Sequence, residues 1–182
     1  MSIFDLTEKV AVVTGGNRGI GLGMARGLAK AGASVSIWSR DGARNEEARA
    51  DLAKSGAPIE SRVCDVSKEE DIVRCASETI ESMGRIDICI ANAGYGSPVD
   101  PLEMSLSDWR ELMAVNLDGV FLTLREAARK MKSAGHGGKL IAVSSISAHF
   151  GTPKQPHYAG AKPRSAPWYA PWQSNWRAMT SR

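Results

Sequence analysis

Thr14-Gly15-Gly16-Asn17-Arg18-Gly19-Ile20-Gly21 is the stretch on which the fold turns. It follows the apolar run Lys9-Val10-Ala11-Val12-Val13. It opens an amphipathic segment, Ile20 to Ala31, in which Leu22, Ala25, Leu28 and Ala29 recur at helical spacing and Gly32 closes the helix. A strand, a glycine turn and a helix in that order let backbone N–H groups approach a phosphate at the positive end of the helix dipole. The local reading is a βα unit that holds the pyrophosphate of a dinucleotide.

Outward from that unit the same alternation repeats. Ser34 to Trp38, Ile59 to Cys64, Ile86 to Ala91 and Leu140 to Ser144 read as buried strands. Between them lie a polar helix from Asn45 to Lys54, a helix entered through Asp65 to Glu70 and ending at Met83, and a long helix from Leu106 to Lys132. In the second of these, Ser67 is the expected N-cap and Glu70 its capping-box partner. This pattern predicts an α/β fold, a doubly wound parallel sheet of Rossmann type. The right-handed crossover rule puts the first three strands on one side of a switch point and the later strands on the other. Each short polar or glycine segment follows a strand, so these segments should line one crevice.

The 182 residues suit one core, and no apolar run approaches the length of a bilayer span. The N-terminus lacks the order of a signal peptide, and the cytoplasm is the expected location. Cys64, Cys75 and Cys89 lack metal-ligand spacing and read as packing residues, and no metal is expected. Three of the 23 basic residues and none of the 20 acidic ones fall in 163–182, so residues 1–162 balance at 20 of each. The body thus carries no nucleic-acid signature, and neither a nucleic-acid nor a membrane partner is expected. His136, His149 and His157 share no ligand spacing, read as loop residues and receive no role.

The spacing of Gly15, Gly19 and Gly21 resembles the TGxxxGxG loop of the short-chain dehydrogenase/reductase family. So do Asp65-Val66 after the third strand, Ala91-Asn92-Ala93-Gly94 after the fourth, Val115-Asn116 in the long helix, and Ser145 followed thirteen residues later by Tyr158-Ala159-Gly160-Ala161-Lys162. Ala91 stands where the family more often has asparagine. The resemblance covers residues 1–162, which are expected to form the dinucleotide-binding and catalytic domain. It implies an oxidoreductase that moves a hydride between a nicotinamide cofactor and a small carbonyl or secondary alcohol.

For the cofactor, the resemblance implies contacts from Gly15, Asn17, Arg18, Gly19, Ile20, Gly21, Arg40, Asp65, Val66, Asn92, Ala93, Gly94, Tyr158 and Lys162. Asp65 is expected near the adenine and Asn92 near the adenosine ribose. The second strand ends in Ser39-Arg40, where an acid would hold the ribose of NAD. With Arg18, two guanidiniums can converge on a 2′-phosphate, so NADP is favoured. Asp41 keeps NAD as the alternative.

Tyr158 and Lys162 are i and i+4 on a helix and hence neighbours on one face. A nearby ammonium stabilises a phenolate, which makes the phenol a usable acid or base. The resemblance makes Tyr158 the proton donor or acceptor and has Lys162 hold the nicotinamide ribose. Ser145 would bond the substrate oxygen, and Asn116 would maintain a water-linked proton path.

Pro163 follows Lys162 directly. It removes a helical donor, crowds the preceding turn at about 3 kcal/mol and biases Lys162 away from helical dihedrals. The catalytic helix should therefore end at its lysine. Residues 163–182 carry three of five tryptophans and three of eight prolines, an abrupt change of composition. Trp168, Trp172 and Trp176 recur every four residues, and tryptophan has a single codon. Restoring one base after the Lys162 codon turns each into leucine, valine or methionine. The string can then read Leu-Val-Arg-Ala-Leu-Ala-Val-Glu-Leu-Ala, an amphipathic helix. The expectation is an anomalous, disordered, out-of-frame tail, with the last helices and strands of the family fold absent. The homo-oligomer that the resemblance implies would then lose its bundle interface. Two alternatives to an active reductase stay open: a catalytically impaired dinucleotide-binding fragment and a misfolded product.

Overall fold

The computed structural model describes residues 4–162. The expectations for 163–182, and for any later helices and strands, lie outside the described residues. Strand β1 (Val10–Thr14) leads into helix α1 (Gly19–Lys30), β2 (Ser34–Ser39) into α2 (Gly42–Ala53), and β3 (Ile59–Val63) into α3 (Glu69–Met83). Then follow β4 (Ile88–Ala91), α4 (Leu106–Met113), a π-helical turn (Ala114–Asp118), α5 (Gly119–Ser133), β5 (Lys139–Ala142) and two short helices, α6 (Ser147–Phe150) and α7 (Pro156–Ala161). The strands pair in parallel in the order β3-β2-β1-β4-β5. The order reverses between β1 and β4, which is the switch point of a doubly wound sheet.

Alternation along each strand divides the core between two faces. Ala11, Val13, Val35, Ile37 and Ile90 meet Ala25, Ala29, Ala48 and Leu52 of α1 and α2. Val12, Trp38 and Cys89 meet Ile72, Cys75, Leu124 and Met131 of α3 and α5. Each large side chain so buried contributes about 1.5–3 kcal/mol, and the alanines of α1 let that helix lie close on the sheet. All three cysteines are buried thiols, as their apolar settings implied, and burial pushes Cys89 up to about 12. No helix among the described residues is long and apolar enough to cross a membrane.

Four local expectations need correction. Lys68, rather than Ser67, occupies the N-cap of α3, and Glu70 has no capping-box role. Ser67 instead turns back, its N–H and hydroxyl both donating to Asp65 Oδ1, while Asp71 accepts from the Asp65 N–H. The helix from Leu106 to Lys132 is one axis interrupted by the π turn around Asn116. The fourth strand starts at Ile88, because Asp87 turns aside to accept from Val10 N–H and pair with Arg85. His149 and His157 lie on α6 and α7 rather than in loops, and His157 is buried.

Candidate functional site

A cleft of about 660 Å³ touches the carboxyl end of every strand. That volume suits a ligand of cofactor size. At its β1 end Gly15 takes φ +63°, a left-handed conformation that a side chain would strain. A Cβ on Gly21 would sit 2.3 Å from the Gly15 carbonyl oxygen, so the turn closes only around glycine. Helix α1 begins at this turn without a side-chain cap and without an acid in its first turn. Its first N–H groups therefore face the cleft as unshared donors at the positive end of the dipole, a cradle suited to phosphate.

Neighbouring strands hold the loop in place. The Thr14 hydroxyl accepts from the N–H groups of Asn92 and Ala93, both at 3.0 Å. Asn92 Nδ2 donates to the carbonyls of Thr14 and Gly15 at 3.0 and 3.4 Å. Asn17 Nδ2 donates to Ser39 Oγ at 2.5 Å and to Asn45 Oδ1 at 2.9 Å. The turn is thereby tied to β4 on one side and to β2 and α2 on the other.

Gly15, Asn17, Arg18, Gly19, Ile20 and Gly21 line this end of the cleft, with Arg40, Asp65 and Val66 further along and Asn92, Ala93 and Gly94 opposite. Every expected cofactor residue thus borders one space. Asp41 caps α2, accepting from Arg44 N–H at 3.0 Å, with the Arg44 guanidinium 3.8 Å away. Its carboxylate is already shared. Arg44 also borders the cleft and was not foreseen, since the polar helix reads as a solvated face.

At the far end, Tyr158 and Lys162 enter the same cleft. Lys162 Nζ lies 5.7 Å from the Tyr158 ring centroid and donates to Val143 O at 3.2 Å. Among the described residues no carboxylate pairs with this ammonium. Burial holds its pKa below the ordinary lysine value of 10.5. Helix α7 ends at Ala161, and Lys162 has extended backbone (ψ 119°), as the proline after it implied.

The other two catalytic candidates each adjoin a residue of the cleft lining, Asn116 buried and Ser145 part-exposed. Asn116 is fully buried and grips the backbone of Tyr95, accepting from its N–H at 3.1 Å and donating to its carbonyl at 2.8 Å. Gly94 passes between Asn116 and Lys162, since a Cβ there would meet Asn116 Oδ1 at 3.0 Å and Lys162 Nζ at 3.2 Å. Val115 and Ser144 border the cleft in the positions next to Asn116 and Ser145. The Ser145 hydroxyl accepts from Ser147 N–H at 3.2 Å.

Comparison with known proteins agrees with this layout. A family model described as short chain dehydrogenase matches residues 9–166. The 3-oxoacyl-(acyl-carrier-protein) reductase of Chlamydia muridarum is 34% identical over 158 residues, 86% of this chain and 63% of the relative. The chain thus spans about three fifths of that relative's length. Among solved structures, an NAD+-bound xylitol dehydrogenase superposes with TM-score 0.89 at 25% identity, covering 96% of this chain and 67% of the other. The NADPH-dependent 3-quinuclidinone reductase from Rhodotorula rubra superposes with TM-score 0.87 at 34% identity, with the same coverages.

Proposed function

The chain belongs to the short-chain dehydrogenase family, and on that premise we propose that residues 1–162 bind NADP and carry out hydride exchange with a small carbonyl or secondary-alcohol substrate. The observation that carries this reading is the single cleft that joins the uncapped start of α1 to the Tyr158–Lys162 pair. The glycine turn fits a pyrophosphate because a Cβ at Gly21 would fill the space in which the turn closes. The bound nicotinamide would supply or accept the hydride.

Within the protein, Tyr158 would pass a proton to or from the substrate oxygen. Lys162 would stabilise the phenolate and hold the nicotinamide ribose. Ser145 would bond the substrate oxygen, and Asn116, by gripping Tyr95, would keep the wall behind Lys162 in place. NADP is preferred to NAD because Arg18, Arg40 and Arg44 border the end of β2 while Asp41 is engaged as a helix cap. Structural neighbours use either dinucleotide, so the rim residues carry this preference. The cytoplasm is the proposed location.

A second reading, binding without turnover, is favoured by one observation: α7 stops one residue before its lysine. One experiment separates the two. Purified chain is titrated with NADPH and NADH by calorimetry, then assayed for NADPH consumption over a panel of ketones. Binding with turnover supports the first reading and binding alone the second. Failure to bind either dinucleotide overturns both.

A further inference from the structure

The cleft's charged rim is built on a buried polar knot. Asn45 is 1% exposed and uses its whole amide. Its Oδ1 accepts from Asn17 Nδ2 at 2.9 Å and from Ser39 Oγ at 2.6 Å, and its Nδ2 donates to the carbonyls of Ser39 and Arg62, both at 3.0 Å. Asn17 Nδ2 also reaches Ser39 Oγ at 2.5 Å. One side chain of α2 therefore ties together the glycine turn, the end of β2 and the end of β3. Leaving any of these buried groups unmatched is costly, so the three segments hold one relative position.

Each member of the knot adjoins an arginine in the chain: Asn17-Arg18, Ser39-Arg40 and Arg44-Asn45. The asparagines are buried and Ser39 half-buried, while all three arginines are exposed and border the cleft. Clamping the backbone one residue away sets the root of each guanidinium. Asp41, which caps α2 and lies 3.8 Å from Arg44, and Asp65, beyond the end of β3, are the acids bordering the cleft. Three arginines against these two carboxylates leave a positive excess, and with Asp41 already engaged by Arg44 that excess suits a phosphate monoester, which carries about −1.5 to −2 charges at neutral pH.

We propose that Asn45 is a positioning residue for cofactor selection, holding Arg18, Arg40 and Arg44 on one rim so that they converge on the 2′-phosphate of NADP. The inference rests on the NADP reading above and adds the residue that makes three separate arginines act as one site. Asn45 touches no ligand and acts through its neighbours.

The test compares 2′,5′-ADP with 5′-AMP, two probes that differ by the 2′-phosphate, by calorimetry on the full chain. The native chain is expected to favour 2′,5′-ADP by about tenfold or more, as charge-assisted bonds to phosphate require. Asn45→Ala is expected to remove most of that preference while 5′-AMP affinity changes by no more than about twofold. In an Arg18→Ala background the same substitution should have a smaller effect, because residues that act through one another are not additive. Should Asn45→Ala lose its cooperative melt, Asn45→Ser, which keeps a hydroxyl in the knot, is expected to shift the preference in the same direction.

The failures are distinguishable. A native chain without preference for 2′,5′-ADP overturns the NADP reading and this inference with it. A native preference that survives in the Asn45 variants, equal loss of both probes, or full additivity with Arg18→Ala overturns the positioning role and leaves the NADP reading standing.

Discussion

The β1-to-β3 half of the molecule and the β4-to-α7 half meet at one cleft but are secured differently. All five residues of β1 and the middle four of β2 are buried, whereas β5 alternates between exposed and half-buried positions. The glycine turn is tied by side chains from β2, α2 and β4. The segment carrying Ser145 ends in Ile146 and Phe150, which are 74% and 83% exposed, and α7 is six residues long. The lesson is that the proposed phosphate cradle rests on side-chain hydrogen bonds to its neighbours, while the proposed catalytic pair rests on packing among short elements. Binding and turnover should therefore respond separately to substitution.

The strongest test of that separation is Tyr158→Phe. Removing the phenolic hydroxyl takes away the proposed acid or base, and turnover should fall by about 10²–10⁴-fold. Cofactor affinity should stay close to native, since the glycine turn lies at the other end of the cleft. Steady-state rates and calorimetry on the same preparation check both halves of the statement, and a parallel fall in affinity would break the comparison.

Gly21→Ala strikes the other half. The added Cβ would lie 2.3 Å from a backbone oxygen and 2.5 Å from Asn92 Nδ2, and the backbone oxygen has no flexible side chain to yield. The expected result is a stability loss of about 1–3 kcal/mol in urea unfolding, with most of the dinucleotide affinity gone. A variant that keeps native affinity would show that the turn is not the phosphate cradle.

Ser105→Ala sharpens the comparison from the catalytic side. Ser105 and Asp108 form a reciprocal cap, with Asp108 N–H donating to Ser105 Oγ and Ser105 N–H to Asp108 Oδ2, both at 3.0 Å. Helix α4 packs on α7, so loosening its start loosens the support of Tyr158. A loss of about 1 kcal/mol in urea unfolding is expected, with lowered turnover and unchanged cofactor affinity.

Much of the fold was legible because strand, turn and helix alternate with unambiguous periods and glycines such as Gly15, Gly32 and Gly84 fall where the backbone takes a left-handed turn. Most residues gathered around the cleft were legible for the same reason, since they follow strand ends, whereas Arg44, on the polar helix α2, was not. What escaped were features set by tertiary contacts. The π turn lies inside a continuous helical pattern, and its position coincides with the grip of Asn116 on Tyr95, far away in sequence. The start of α3 moved past Ser67 because Asp65 offered that serine a closer partner. Asn45 was the readable omission: it shares a stripe with the buried Ala48 and Leu52, and an amide on a buried stripe signals a polar network. Reading the helix as uniformly polar concealed it.

The smallest effect concerns Lys162, where the half proposed to be catalytic bears a structural penalty. Lys162 is 5% exposed, and its ammonium donates to Val143 O and has its pKa lowered by burial from 10.5. Between the lowered value and 10.5 the unfolded chain holds this proton more tightly than the folded one, so the group's contribution favours folding increasingly as pH rises through that window. Below the window the full penalty of burying the charge remains. Lys162→Met keeps the apolar stem and discards the charge, so its stability should equal or exceed that of the native chain at neutral pH. The native chain should close the gap as the solution becomes alkaline. Urea midpoints of the two chains, compared at several pH values from neutrality upward, isolate this group because every other titrating residue is common to both. A variant less stable than native at neutral pH, or a gap that widens with pH, would show that the ammonium stabilises the fold, and that the catalytic half is more self-sufficient than its short elements imply.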